Sequence, residues 1–492
     1  MTIQWIAIIL FALLFMGVAI YGRLKTTSAA SFAIGSGANP ILVGMSLATT
    51  LTSAATFIVN PGLVYYYGLS AFLAFSFAAN TGIVLGLFIL VKGFRSQGLG
   101  MGVISVPQWI EQHYGGGVVT RLFFALTSLL LIAFIVLIYV GLAHILVQLL
   151  GITHQQALIS LILFITLYNQ VGGANSHVIT NMLQGIVMVI VATVLLVSGL
   201  HLLGSGNIFQ QIGDISPLLI QATNAKSIMF RDYFEVIFVN VVIGFAIVCQ
   251  PHVLSKGLFL KNDKEVNRML ISAMVIGTIF ASVMLVGFYG LLTLGPGLKP
   301  DLVVPTYIMK NFGTTFQIIA SLGILCAGIS TLEAILLSLT VTFSFDIIAP
   351  IGVKLRALTM SNDREIKRVL LWGKILTVLT GVAVYYLALG QITSPNVSVA
   401  IFAFDGVYAL FSATFIPVAA KMFKIKLGYK TVIASSFTVL IVHFTMRMGQ
   451  FSIAGLNPYY WTNPGVTAVI ALISAAVLVG IIKVSEQIRV KS

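Results

Sequence analysis

Residues 45–62 carry six hydroxyl side chains (Ser46, Thr49, Thr50, Thr52, Ser53 and Thr56) in an otherwise apolar run, closed by Asn60-Pro61-Gly62. On a helix Thr49, Thr52, Ser53 and Thr56 fall on one face, at i, i+3, i+4 and i+7. A Ser or Thr can bond back to the carbonyl four residues earlier and merely bend its helix. That accounts for one or two hydroxyls, and less well for the five from Thr49 to Thr56 beside an Asn-Pro-Gly. The chemistry they offer is hard, uncharged oxygen, suited to a small cation or to a polar solute. A second group lies at Ala327-Gly328-Ile329-Ser330-Thr331. Its small residues allow close helix approach, and its two adjacent hydroxyls offer ligands for Na⁺. Carbonyls freed from the first segment would complete the shell.

Acidic side chains come next. Glu333 and Asp405 fall within apolar segments, where a charge is costly and marks a functional site. Each is expected to serve as an ion ligand, a proton site or a buried neutral acid, because no Lys or Arg falls mid-segment to pair with it. Asp346 is expected to cap its helix end, and Glu235 to sit at the external interface. After Tyr168-Asn169-Gln170-Val171, Gly172-Gly173 reads as a loop, followed by His177, expected at an interface, then Thr180, Asn181 and Gln184. There is no phosphate-binding Gly-x-x-x-x-Gly-Lys, no His-Glu-x-x-His and no Cys-x-x-Cys, so no enzyme constellation stands out. Cys249 and Cys326 both lie in apolar runs, which argues for buried thiols and against a disulfide.

The elements that hold these residues follow from composition. The chain is 59% hydrophobic and 8% charged, far from the roughly 25% charged residues of a soluble domain. It is therefore an integral membrane protein. Runs of about 20 apolar residues, each able to span a bilayer, are expected at 3–22, 41–60, 70–93, 118–148, 155–170, 179–203, 233–251, 270–294, 314–345, 370–389, 398–420, 430–448 and 465–484. Residues 3–22 lack a basic leader and a clear cleavage site, and read as the first of these thirteen spans. Basic residues cluster in alternate loops, around Arg23, Lys92, Lys256, Lys354, Lys421 and Lys483. The positive-inside rule then places the N-terminus outside and the C-terminus in the cytoplasm. The net charge of +14 is met by anionic membrane lipid and calls for no nucleic-acid partner. No obligate protein partner is evident. Residues 204–232 are too few to hold a core and read as an external loop.

Span two is polar and broken. Span seven, five spans later, also carries polar residues through an apolar background: Asn240, Gly244, Gln250, Pro251 and His252. Interrupted helices at corresponding places in two halves mark inverted-repeat transporters.

With these residues assembled, the chain resembles the sodium:solute symporter family over about residues 20–430. Ser31-Phe32-Ala33-Ile34-Gly35 resembles a motif that precedes the family's first core helix. Ser53-Ala54-Ala55-Thr56-Phe57-Ile58, with Pro61-Gly62 and Tyr67-Gly68-Leu69, resembles its broken helix. Gly172-Gly173 through Thr180 and Gln184, then Gln250-Pro251-His252, Pro305-Thr306 and Ala327–Thr331, complete the order. Within the family the pantothenate type is similar in the broken helix and in Asp301–Thr306.

The resemblance implies an all-α leucine-transporter-type fold of about thirteen transmembrane helices. A 5+5 inverted repeat would occupy about 41–203 and 233–420, with helices 3–22, 430–448 and 465–484 outside it. It implies a Na⁺ site from the carbonyls of Thr49, Thr52 and Ala327 and the hydroxyls of Ser330 and Thr331. A small organic solute would sit near Ser53, Thr56 and Asn240. The second ion site of some members includes an Asp where this chain has Asn181, so one Na⁺ per cycle is expected. Glu333 stands where many members have a small or amide side chain, and with Asn181 and Asp405 it is the candidate for a further ion or proton site. The implied activity is Na⁺-driven symport of a small monocarboxylate, pantothenate-like or shorter. The alternatives are proton coupling, a sugar or amino-acid solute, and a transporter-like sensor.

Overall fold

A backbone in lipid must satisfy its own hydrogen bonds, so apolar spans fold as helices. The computed structural model describes residues 2–24, 39–98, 101–171, 174–204, 208–260, 262–355, 358, 360, 362–393, 399–451 and 455–491. The motif Ser31–Gly35 and the pair Gly172-Gly173 lie outside the described residues.

The described chain is built of helices. They run α1 (Thr2–Leu24), α2 (Pro40–Leu51), α3 (Ala55–Tyr67), α4 (Leu69–Gly98), α5 (Val106–Tyr114), α6 (Gly117–Leu150), α7 (His154–Val171) and α8 (Ala174–Ser198). After a connection that carries the short helices Leu200–Gly204 and Ile208–Ile215 come α9 (Phe234–Ile247), α10 (Pro251–Phe259), α11 (Asp263–Leu294), α12 (Pro300–Asn311), α13 (Thr314–Lys354), α14 (Asp363–Thr393), α15 (Val399–Met422), α16 (Tyr429–Gly449) and α17 (Pro464–Lys491).

Ten described helices are long and apolar enough to cross a membrane, and two bent pairs raise this to 12. These cover twelve of the thirteen expected spans. The thirteenth, at 155–170, is the 18-residue α7, a helix outside that apolar set. The bent pairs are α2 with α3, at 58°, and α9 with α10, at 61°. They are the two segments whose polar residues marked them as interrupted.

The first break falls earlier than Asn60-Pro61-Gly62. Helix α2 starts on Asn39, whose side chain accepts the Ile41 N–H, and on Pro40. It ends at Leu51, and Thr52 takes φ −95°, ψ 87°. Ser53 Oγ then accepts the Ala55 N–H at 3.1 Å and restarts the helix. Pro61 lies inside α3, preceded by a wide π turn at Ala55–Val59. Such a turn accommodates a residue without an N–H.

Packing places both breaks at the centre. Helix α2 lies against α8, α11 and α13, and α9 against α4 and α15. A Cβ on Gly82 would meet the Val241 carbonyl oxygen at 2.1 Å, and one on Gly244 the Ala79 carbonyl oxygen at 2.1 Å. Helices α4 and α9 therefore touch backbone to backbone, which only small residues permit. Helix α13 is the core element, with 94% of its apolar window buried, against 11% for the window in α1.

Candidate functional site

Two layers of polar groups meet beside the α2–α3 break. In the first, α13 presents its hydroxyls to the last turn of α2. Ser330 Oγ donates to the carbonyls of Thr49 and Ala327, each at 3.0 Å. Thr331 Oγ1 donates to the Thr50 carbonyl at 3.1 Å and to that of Ala327 at 3.3 Å. All five residues are buried. The structure thus brings Thr49, Ala327, Ser330 and Thr331 together and adds Thr50, which the sequence reading placed among the hydroxyls but not among the sodium ligands. Thr52 lies just past the end of α2, and its backbone N–H closes the last turn on Ala48.

A donor set of uncharged oxygens gathered within hydrogen-bond distance fits Na⁺. The hydroxyl protons can turn away and leave their lone pairs to a cation. Nothing in the set needs a divalent charge, and no group of three His, Cys, Asp or Glu suited to a metal occurs among the described residues.

The second layer is a cavity of about 170 Å³ on the other side of the break. Thr52, Ser53 and Thr56 line it from the break, Asn240 from α9, and Asn60 and Asn80 from α3 and α4. Phe75, Phe134, Phe404, Tyr408 and Phe411 supply an aromatic wall. Asn240 Nδ2 donates to the Glu235 carbonyl at 2.8 Å, which fixes its amide. Among the described residues the lining holds no charged side chain. Ser53, Thr56 and Asn240, expected together from sequence, share this one space. Asn60 and Asn80 were missed, although a lone Asn in an apolar span is a signal of the same kind.

Below the hydroxyl cluster lies a buried polar network. Glu333 accepts from Thr180 Oγ1 at 3.1 Å and from Tyr168 OH at 3.2 Å, and His177 Nδ1 lies 3.5 Å from it. Asn181 Nδ2 meets His177 Nε2 at 3.4 Å, Thr50 Oγ1 at 3.1 Å and Ser46 Oγ at 3.3 Å. Asn181 and Glu333 therefore belong to one network, linked through His177. Asn181 Oδ1 and both amide atoms of Gln184 have no partner among the described residues, which is uncommon for buried polar atoms.

Several expectations need correction. His177 is buried, not interfacial, because its ring joins Asn181 to Glu333. Asp405 does not join this network. Arg447, at the end of α16, grips it through Nε and through Nη2, the latter at 2.9 Å, and His443 Nε2 lies 3.1 Å from its carbonyl oxygen. Asp405 therefore does have a basic partner, on a helix that sequence spacing could not assign. Asp346 is fully buried and accepts from Ser105 Oγ at 2.8 Å, so it ties α13 to the start of α5 and caps no helix end. Glu235 is fully buried. It is paired with Arg231 and accepts from Asn463 Nδ2 at 3.2 Å.

Outside the spans, the Asp301 carboxyl in the first turn of α12 is pushed up by burial, with Lys299 nearby opposing. Burial lowers His113 in α5, against its hydrogen bond to the Trp109 carbonyl.

Comparison with known proteins gives a consistent result. The sodium:solute symporter family model matches residues 32–423. The sodium/pantothenate symporter of Escherichia coli (strain K12) is 27% identical over 381 residues, 75% of each chain. That of Haemophilus influenzae (strain ATCC 51907 / DSM 11121 / KW20 / Rd) is 25% identical over 378 residues, again 75% of each chain. Among solved structures, a Na⁺-coupled sialic acid symporter in a substrate-bound outward-open state aligns with a TM-score of 0.72. The match covers 96% of this chain and 98% of that one, at 18% identity. The architecture is the leucine-transporter type.

Proposed function

Because the chain belongs to the sodium:solute symporter family, we propose that the Na⁺-coupled symport of that family here imports a small organic monocarboxylate of the pantothenate kind. The protein is a transporter, not an enzyme. The carrying observation is the adjacency of the two layers. Hydroxyls of α13 engage the last turn of α2, and the next residues, Thr52, Ser53 and Thr56, line the solute cavity.

The sodium ligands in this reading are the carbonyls of Thr49, Thr52 and Ala327 and the hydroxyls of Ser330 and Thr331, with Thr50 as a further candidate. One Na⁺ is bound per cycle. Filling this site ties α2 to α13 and fixes the end of α2, which shapes the mouth of the solute cavity. The solute contacts Ser53, Thr56 and Asn240, and its apolar part meets the aromatic wall. Alternating access follows from rocking of the two repeats, about 41–203 and 233–420, around the breaks. The basic ends of the bundle face the cytoplasm of the cell membrane and the N-terminus lies outside.

The pantothenate assignment is supported by the named relatives and by a cavity that combines amides, hydroxyls and aromatic rings. The experiment is uptake of radiolabelled pantothenate into proteoliposomes. Uptake driven by an inward Na⁺ gradient is expected. Uptake driven equally well by a pH gradient without Na⁺ would overturn the sodium site, and Na⁺-induced stabilisation without pantothenate uptake would overturn the solute.

A further inference from the structure

The segment Gln250-Pro-His-Val-Leu-Ser-Lys256 reads in sequence as the start of a basic loop. In the structure it is the second arm of a broken span, and Lys256 is 2% exposed. Its Nζ donates to Ser46 Oγ at 2.7 Å and lies 5.6 Å from the Phe259 ring centre. An ammonium withdrawn from water costs free energy unless hydrogen bonds and an opposite charge offset it. Its direct partner is the Ser46 hydroxyl, and Glu333 on α13 is an opposite charge at longer range, outside ion-pair distance.

Ser46 is one helical turn from the sodium-site carbonyls. Its own carbonyl accepts from Thr49 Oγ1 at 3.0 Å. Its hydroxyl is shared with Asn181, which also holds Thr50. A turn is about 5.4 Å, so a unit charge on Lys256 acts at close range on a cation held by Thr49 and Thr50. The groups facing it are Ser46 on α2, Asn181 and His177 on α8, Glu333 on α13 and His252 on α10. A small cavity lined by His177, His252, Ser255, Lys256 and Ser338 separates α10 from the lower half of α13.

We propose that Lys256 is a positioning residue of the transport cycle. It clamps the sodium-bearing arm α2 to α10 and closes the path on the basic side, and its charge weakens the hold on Na⁺. The cation is thereby kept releasable although the Glu333 carboxylate lies in the adjoining polar network. Opening toward the basic side requires the Lys256–Ser46 bond to part, so the clamp and the ion site report on each other.

This proposal rests on the sodium site described above, and the test separates the two. Purified protein is titrated with NaCl, and the midpoint of thermal stabilisation is read for wild type, K256Q, K256R and S46A. In parallel, S338C is introduced into each, and its maleimide labelling rate is measured in inverted membrane vesicles. K256Q is expected to lower the sodium midpoint at least threefold, since the positive charge near the site is then removed. K256R stays within twofold of wild type. S46A leaves the midpoint within twofold yet raises S338C labelling severalfold, as K256Q also does. A K256Q midpoint within twofold of wild type overturns the proposal. Unchanged labelling in S46A also overturns it, and that arm holds even if K256Q does not fold. Absence of sodium stabilisation in wild type overturns the sodium site itself.

Discussion

Ser330 Oγ donates to the Thr49 carbonyl at 3.0 Å, which fastens the core helix α13 to the last turn of α2 at the point where that span breaks. With Thr331 on Thr50, the contact occupies the oxygens a sodium ion would use. Replacing both hydroxyls (S330A with T331A) is expected to raise the Na⁺ concentration for half-maximal stabilisation at least tenfold. Sodium titration of the melting temperature is the measurement, and an unmoved midpoint rejects these ligands.

Thr56, just past the first break, and Asn240, inside α9, line the proposed solute cavity. Loss of one hydrogen bond to a solute is worth about 0.5–1.5 kcal/mol. T56A and N240A are each expected to raise the solute KM several-fold while leaving the sodium midpoint within twofold. Equal changes in both quantities would show that these residues hold the ion and not the solute.

Arg447 and Asp405 join α16 to α15 away from the hydroxyl cluster. D405N is expected to lower the melting temperature and leave the sodium midpoint unchanged. Loss of sodium dependence in D405N with the fold intact would return Asp405 to the coupling machinery.

Gly244 meets the Ala79 carbonyl so closely that a methyl group has no room. G244A is expected to cost about 1–3 kcal/mol, as overpacking does. G480A, where an added Cβ meets nothing within 4 Å, is expected to be neutral or mildly stabilising, since Gly is a poor helix former. Equal melting temperatures for the two variants would contradict the packing of α4 on α9.

Asp301 titrates higher in the folded state than in the unfolded chain because burial disfavours its charge. The folded state then holds the proton more tightly. Its contribution is greatest below the unfolded value of about 3.9 and is lost as pH rises through the folded one. D301N lacks this loss. The gap in melting temperature between D301N and wild type is expected to widen in favour of D301N as pH rises from 4 to 7. A constant gap would refute the assignment.

Most of the spans were legible because an apolar run of bilayer length has one stable backbone. Ser330, Thr331, Thr49, Ser53 and Thr56 were legible because hydroxyls clustered in such runs need a reason. Pairings across helices were not. Arg447 is 42 residues from Asp405, and nothing in either run names the other. Lys256 was hidden differently, since a lysine after a proline-broken helix looks like the loop it nearly is. The break at Thr52 was obscured by Pro61, whose disruption a single wide turn absorbs.

The uncharged oxygens of the ion site and the charge-free cavity lining carry an electrical consequence. For the proposed cycle of one Na⁺ and one monocarboxylate, sodium and solute cross as a neutral pair. Membrane voltage then does no net work over the proposed cycle. Accumulation is limited by the sodium concentration ratio alone, and transport at matched sodium produces no current.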